Sequence, residues 1–200
     1  MAKKTFNWTV DVDGGDFGGR TNGTIGIDKG LPLIFKLFRE HDIKGLFFVS
    51  TEALERRPGV VQDIINQGHE VGNHGHFHVC FKESWRQVQN KNIADNILRQ
   101  FTNQDFHHFR APKFSYKIDG HRYSDSYGHV GLLKQMWLNN DLRGDEIFYL
   151  HPFDIVSEGK SPNLFCSLWY SKPRKAYETL IRLVTDYPGR MRLVKNDGSL

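Results

Sequence analysis

The sequence predicts an α/β fold, either a (β/α) barrel or a distorted relative of one, with an open doubly wound sheet as the alternative. Three observations predict it. Short strand-like runs alternate with amphipathic helical runs along the whole chain. Seven such strand runs occur, enough to close or nearly close a barrel. Polar, chemistry-bearing side chains stand at the carboxyl ends of four of them, which is where parallel α/β sheets build their sites.

The predicted strands are Phe6–Val10, Gly45–Val49, Glu70–Gly72, His107–Ala111, Leu132–Trp137, Ile147–Leu150 and Met191–Val194. Between the first two, Asp28 is expected to cap a helix whose apolar face is Leu31, Ile34, Leu37 and Phe38. Pro58 opens a second helix and Gly68 closes it, the usual Pro-start and Gly-stop asymmetry. A third runs from Glu83 to about Leu98, with Trp85, Val88, Ala94, Ile97 and Leu98 as its expected buried stripe. Ser171 is expected to cap a fourth, facing inward with Ala176, Tyr177, Leu180, Ile181 and Val184.

Length and composition narrow the class. The 200 residues favour a single domain spanning 1–200. Mean hydropathy is −0.53 and no apolar run approaches the roughly 20 residues of a membrane helix. MAKKTFNWTV lacks the apolar core of a secretory signal, so a cytoplasmic location is expected. Cys80 and Cys166 are too few for a disulfide framework and have no ligand spacing. The net charge of +4 mildly favours an anionic partner, such as a phosphate-bearing sugar carrier. No RNP or zinc-finger pattern occurs, so nucleic acid is not expected. Gly14 to Thr21 is glycine-rich but has neither a P-loop ending nor dinucleotide spacing.

The strand ends carry the chemistry. After the first strand come Asp11 and Asp13, two residues apart and so on one side of an extended chain, followed by two glycines. After the third comes Asn73-His74-Gly75-His76-Phe77-His78. If this segment becomes helical, His74 and His78 share a face and can grip one metal. Glu70 precedes the pair, so this is not the HExxH arrangement. Arg110 ends the fourth strand, and a buried arginine needs a carboxylate, for which Asp11 is the natural partner. His151 ends the strand Ile147–Leu150. Each of these alone has a bland reading as a turn, a loop or a satisfied core residue. Together they require four coincidences at one edge of the sheet.

The order Asp-x-Asp, GHEVGNHxxxH, RAPxxS, LHP, with Ile43–Val49 and Arg57–Val61 before the second motif, resembles the polysaccharide deacetylases. This is the NodB-homology family, carbohydrate esterase family 4, and the resemblance runs from about Thr9 to Phe153. It implies a distorted (β/α) barrel. It implies Asp11 as catalytic base, Asp13, His74 and His78 as metal ligands, Arg110 as the residue that orients the base, and His151 as general acid. It implies a divalent metal; zinc is expected first, with Co2+, Ni2+, Fe2+ or Mn2+ also suited to this N/O set. Tyr116 falls near the place where the family's backbone helps hold the oxyanion.

The sequence departs from the family in two places. The first motif is DVD where many members have adjacent aspartates. The carboxylate that tunes the acid histidine has no clear counterpart: Asp141, Asp145 and Asp125 lie nearby without the expected context. Phe114, Tyr116 and Phe153 are candidates for substrate contact, as is Trp169; Arg20 and Lys113 are candidates for a phosphate.

The activity this implies is metal-dependent N-deacetylation of an acylated amino sugar or glycan, in surface polysaccharide or lipid-linked saccharide biosynthesis. Two alternatives remain: a hydrolase of small cyclic amides or a deformylase on the same fold, and an inactive carbohydrate-binding relative. The sequence does not fix the oligomeric state.

Overall fold

The computed structural model describes residues 7–15, 23–79, 81, 83–102, 108–112, 117–118, 121–122, 129–132, 135, 147–156 and 172–187. In chain order the elements are β1 (Asn7–Val12), a wide π turn (Gly26–Gly30) leading directly into α1 (Leu31–Glu40), β2 (Leu46–Val49), α2 (Thr51–Arg56), α3 (Val60–Asn66), β3 (Glu70–Asn73) and α4 (Ser84–Thr102). There follow β4 (Lys117–Ile118), β5 (His121–Arg122), β6 (His129–Gly131), β7 (Ile147–Leu150), a 3-10 turn (Pro152–Ile155) and α5 (Pro173–Asp186).

The main sheet has the order β6-β7-β1-β2-β3 and every pairing in it is parallel. Beyond β3, Phe109 bridges Asn73, again in parallel. This is cyclic chain order, with the first strand beside the last, as in the wall of a barrel. A doubly wound sheet would place β1 beside a middle strand. β4 and β5 form a separate antiparallel pair.

Period-two alternation decides which side chains reach the site. Along β1, Trp8, Val10 and Val12 join the apolar core with Phe47, Val49, Phe148 and Leu150. Thr9, Asp11 and Asp13 therefore point to the other face. Trp8 meets Phe38 edge-on at 5.7 Å and tilts over Phe148 at 4.8 Å. Each such fully buried ring contributes roughly 1.5–3 kcal/mol. α1 and α5 close the core with Ile34, Phe38, Leu180 and Val184, the expected faces.

Four expectations need correction. Asp28 does not cap α1: it lies inside the π turn, where its carboxylate accepts from the Thr24 hydroxyl at 2.6 Å. The strand expected at Leu132–Trp137 forms earlier, at His129–Gly131, because Gly131 and Val130 are the residues in register with β7. α4 exposes Trp85 at 62% and buries Gln87, Asn90 and Asp95 along with Ala94 and Leu98, so its inner face is largely polar. Ile181 of α5 is exposed, not buried. Met191–Val194 and Ser171 lie outside the described residues.

Candidate metal centre and active site

Because the sheet strands are parallel, their carboxyl ends share one edge. Val12 is level with Val49, Val49 with Asn73, Asn73 with Phe109, and Val10 with Leu150. Asp13, His74, Arg110 and His151, each at or just past these positions, are thereby brought together, with Asp11 beside them. All but His151 are almost completely buried.

Asp13, His74 and His78 place one ligand atom each within 4.8 Å of one another. His74 Nε2 and His78 Nε2 lie 3.4 and 3.5 Å from Asp13 Oδ1. His74 Nδ1 sits 2.8 Å from the carbonyl oxygen of Arg110, so it donates there and leaves Nε2 as the free lone pair. Both carboxylate oxygens of Asp13 and Nε2 of His74 are buried without a hydrogen-bond partner. A buried carboxylate facing two imidazole nitrogens, with its lone pairs unspent, fits a divalent cation. These three residues can hold the metal the sequence predicts. Burial alone would raise the Asp13 carboxyl, but His78, His74 and His151 outweigh it and hold the group at about 2.

Asp11 stands beside this cluster and takes no part in it. Arg110, fully buried, donates through Nη1 to Asp11 Oδ1, and its guanidinium lies 4.0 Å over the ring of Phe48. Burial pushes Asp11 up; Arg110 first, then His74 and His151, bring it below the usual carboxylate range. His151 Nε2 is 4.0 Å from Oδ2 of both Asp11 and Asp13. One imidazole nitrogen thus faces both carboxylates.

One residue of the site went unread in the sequence. Asp154, 2% exposed, accepts the backbone N–H of His151 at 2.8 Å, and its Oδ2 lies 3.4 Å from His151 Nδ1. Burial alone would lower the His151 imidazole. Asp154, by charge and hydrogen bond, followed by Asp13 and Asp11, raises it to about 9. The signal was local: His151-Pro152-Phe153-Asp154 is a capping-box pattern with proline at the first helical position. The 3-10 turn Pro152–Ile155 brings the Asp154 carboxylate back to His151. Asp141, Asp145 and Asp125 lie outside the described residues. The turn docks on the π turn through Gly30, where a Cβ would lie 1.9 Å from the Pro152 carbonyl oxygen.

Of the expected substrate contacts, Phe153 is buried and stacks on the His151 ring at 4.8 Å. It backs the imidazole and shares a small cleft with Asp13, Gly15, Gly23, Gly26, Ile27 and Pro152. Phe114, Tyr116, Trp169, Arg20 and Lys113 lie outside the described residues. The segment carrying His74 and His78 is not helical: residues 76–78 form bends, and Gly75 before them has φ +84°. The imidazoles converge because the loop folds back, not because they share a helix face.

Fold and site together define a parallel α/β barrel with a carboxylate–bis-imidazole centre at its strand ends. Comparison with known proteins assigns the family: residues 21–131, more than half the chain, match the polysaccharide deacetylase model. The chain belongs to the polysaccharide deacetylase family. A 47-residue stretch, 24% of this chain and 17% of the relative, is 38% identical to a peptidoglycan-N-acetylglucosamine deacetylase of Bacillus cereus. The structure is similar to a peptidoglycan deacetylase from Bacillus subtilis, with TM-score 0.61 and 15% identity over 92% of this chain and 85% of that one. It is also similar to a family pseudoenzyme from Bacillus anthracis, with TM-score 0.58 and 17% identity over 90% of this chain and 62% of that one. These structural likenesses establish the distorted barrel of the family. Among the described residues, no helix is long and apolar enough to cross a membrane.

Proposed function

We propose that this chain is a metal-dependent N-deacetylase acting on an acylated amino sugar. The observation that carries the reading is the buried pairing of two functions: a cation site at Asp13, His74 and His78, and a separate ionised carboxylate, Asp11, locked by Arg110. A structural cluster has no need of a second carboxylate held apart from the ligands.

A bound dication, for which the donor set makes zinc the first choice, supplies Lewis acidity at the amide carbonyl. Asp11 takes the proton of the attacking water, and Arg110 keeps it ionised and aimed. His151, protonated and facing Asp11 and Asp13 through Nε2, gives a proton to the departing amine nitrogen, which leaves poorly as an anion. Asp154 holds that ring from behind. The substrate class follows what the similar deacetylases are named for, and the net charge of +4 supports an anionic carrier on the sugar, as in lipid-linked saccharide or surface polysaccharide assembly.

The test combines metal content with acetate release from N-acetylglucosamine oligomers. The purified chain is expected to retain one divalent ion and to lose turnover on chelation. His74→Ala and His78→Ala should lose ion and activity together, and His151→Ala should keep the ion but lose rate. Full turnover by chelator-treated His74→Ala would overturn the reading.

A further inference from the structure

Neither the sheet nor a helical repeat fixes the separation of His74 and His78. His74 is anchored at the end of β3, where its N–H donates to Val49. His78 lies at the far end of a run of bends. Two helices hold that run: the Thr51 and Glu52 N–H groups of α2 donate to the Gly75 and His76 carbonyls, and the polar inner face of α4 grips it next to His78. The His76 N–H donates to the main-chain oxygen of Asn90 at 3.2 Å. The Phe77 N–H donates to Asn90 Oδ1 at 2.9 Å, and Asn90 Nδ2 donates back to the Phe77 carbonyl at 3.2 Å. The side-chain amide thus bonds both polar groups of the residue preceding His78, as a strand would. Gly75 is what lets it reach in: a Cβ there would lie 2.4 Å from Asn90 Nδ2.

A second amide ties the near end. Asn73 Oδ1 accepts the Gly75 N–H at 2.6 Å, and Asn73 Nδ2 donates to Asp95 Oδ1 and the Lys91 carbonyl of α4. Buried amides and carboxylates are costly on a helix face unless fully bonded. Here the bonds of Asn90 are spent on the histidine segment.

We propose that Asn90 is a positioning residue of the metal centre: its amide clamps Phe77 and thereby sets His78 at the distance from Asp13 that a shared cation requires. The proposal rests on the metal reading above. Groups behind metal ligands govern affinity as well as activity, so the readout is binding.

The experiment titrates the chelator-stripped chain with Zn2+ and Co2+ against a chromophoric chelator, for wild type, Asn90→Ala, Asn90→Asp and Leu98→Ala. Asn90→Ala should bind about ten- to a hundredfold more weakly, with an altered Co2+ absorption band. Asn90→Asp keeps the acceptor for the Phe77 N–H, loses the donor, and should fall between; it decides the matter if the alanine variant does not fold. Leu98→Ala, a cavity on the same helix away from the loop, should lower thermal stability and leave affinity within about twofold. Wild-type affinity in both Asn90 variants, or an equal affinity loss in Leu98→Ala, would overturn the clamp while leaving the metal site intact. A wild-type chain that binds neither ion would remove the metal reading and the clamp with it.

Discussion

Asp154→Asn keeps the size of the side chain behind His151 and removes its charge. His151 stands at about 9, against an ordinary 6.5, and burial works against that rise. A dication at Asp13 offsets the part contributed by Asp13 and Asp11, so the part from Asp154 is what survives in the loaded protein. Without it, burial acts unopposed and the imidazole returns to 6.5 or below. At pH 8 a group at the full value of about 9 is roughly 90% protonated and one at 6.5 roughly 3%, so the loss of imidazolium is at most about thirtyfold, or about 2 kcal/mol in activation free energy, and the part of the rise that the dication offsets comes off that figure. The whole benefit of a general acid, about 10²–10⁴-fold, is the ceiling.

The assay compares two leaving groups. Amide cleavage needs a proton on the departing nitrogen, whereas 4-nitrophenyl acetate releases a stable phenolate that needs none. Asp154→Asn should lose kcat on the N-acetyl sugar by up to about thirtyfold at pH 8 and on the ester by less than about threefold. The basic limb of the amide profile should move to lower pH. Folding stability gives a second check. A raised folded value contributes stability that is complete below 6.5 and vanishes as pH rises through about 9, so the variant's deficit should be large at pH 6 and absent at pH 10. Equal losses on both substrates, or unchanged amide turnover at pH 8, would refute the reasoning.

Arg110→Met strands the Asp11 charge in the interior and should cost about 3–5 kcal/mol in urea unfolding at pH 7, with part of it recovered by adding Asp11→Asn. His69 is stacked against Phe35 and Phe47 and is lowered to about 4, by burial first and Lys44 second. Its neutral ring contributes stability above 6.5 that is lost as pH falls towards 4, about 3 kcal/mol at most, and His69→Phe should flatten that acid slope in denaturant titrations. Gly30→Ala drives a Cβ into the Pro152 carbonyl, so it should lower stability by about 1–3 kcal/mol and displace His151, seen as a fall in kcat with metal content unchanged.

What was legible in the sequence was whatever depends on period and punctuation. Alternation along β1 put Asp11 and Asp13 on the face opposite Trp8 and Val10, and the apolar runs delivered His74 and His151 to strand ends; the strand expected at His107–Ala111 is, among its described residues, a single bridge at Phe109 that still places Arg110 at the same edge. What was not legible depends on who meets whom. The four-residue spacing of His74 and His78 imitates a helix, yet Gly75 adopts a left-handed turn that no helix contains. The inner face of α4 could not be read from hydrophobicity, because it meets the backbone of the histidine loop and the Asn73 amide, and so carries Asn90 and Asp95 where Trp85 and Val88 were expected. Asp154 was overlooked because its partner was sought in a distant segment, when a single 3-10 turn supplies it.

The charge balance of the buried cluster argues for catalysis over simple sugar binding. Asp11, Asp13 and Asp154 bring three negative charges; Arg110 and protonated His151 bring two positive ones. Arg110 answers Asp11, and His151 answers Asp154. Asp13 is left with both oxygens lacking a hydrogen bond at 4% exposure, facing His74 and His78 at 3.4 and 3.5 Å across the space a shared cation would fill. A lectin-like relative gains nothing from such a buried charged cluster, since sugar hydroxyls are bonded as well by neutral amides at a rim. A dication at Asp13 turns the net charge of this cluster from −1 to +1, which is the sign that a carbonyl oxygen gaining negative charge requires. The same addition leaves Asp11 still paired with Arg110 and available as a base, so one ion would satisfy the open lone pairs of Asp13 and create the field for the reaction together.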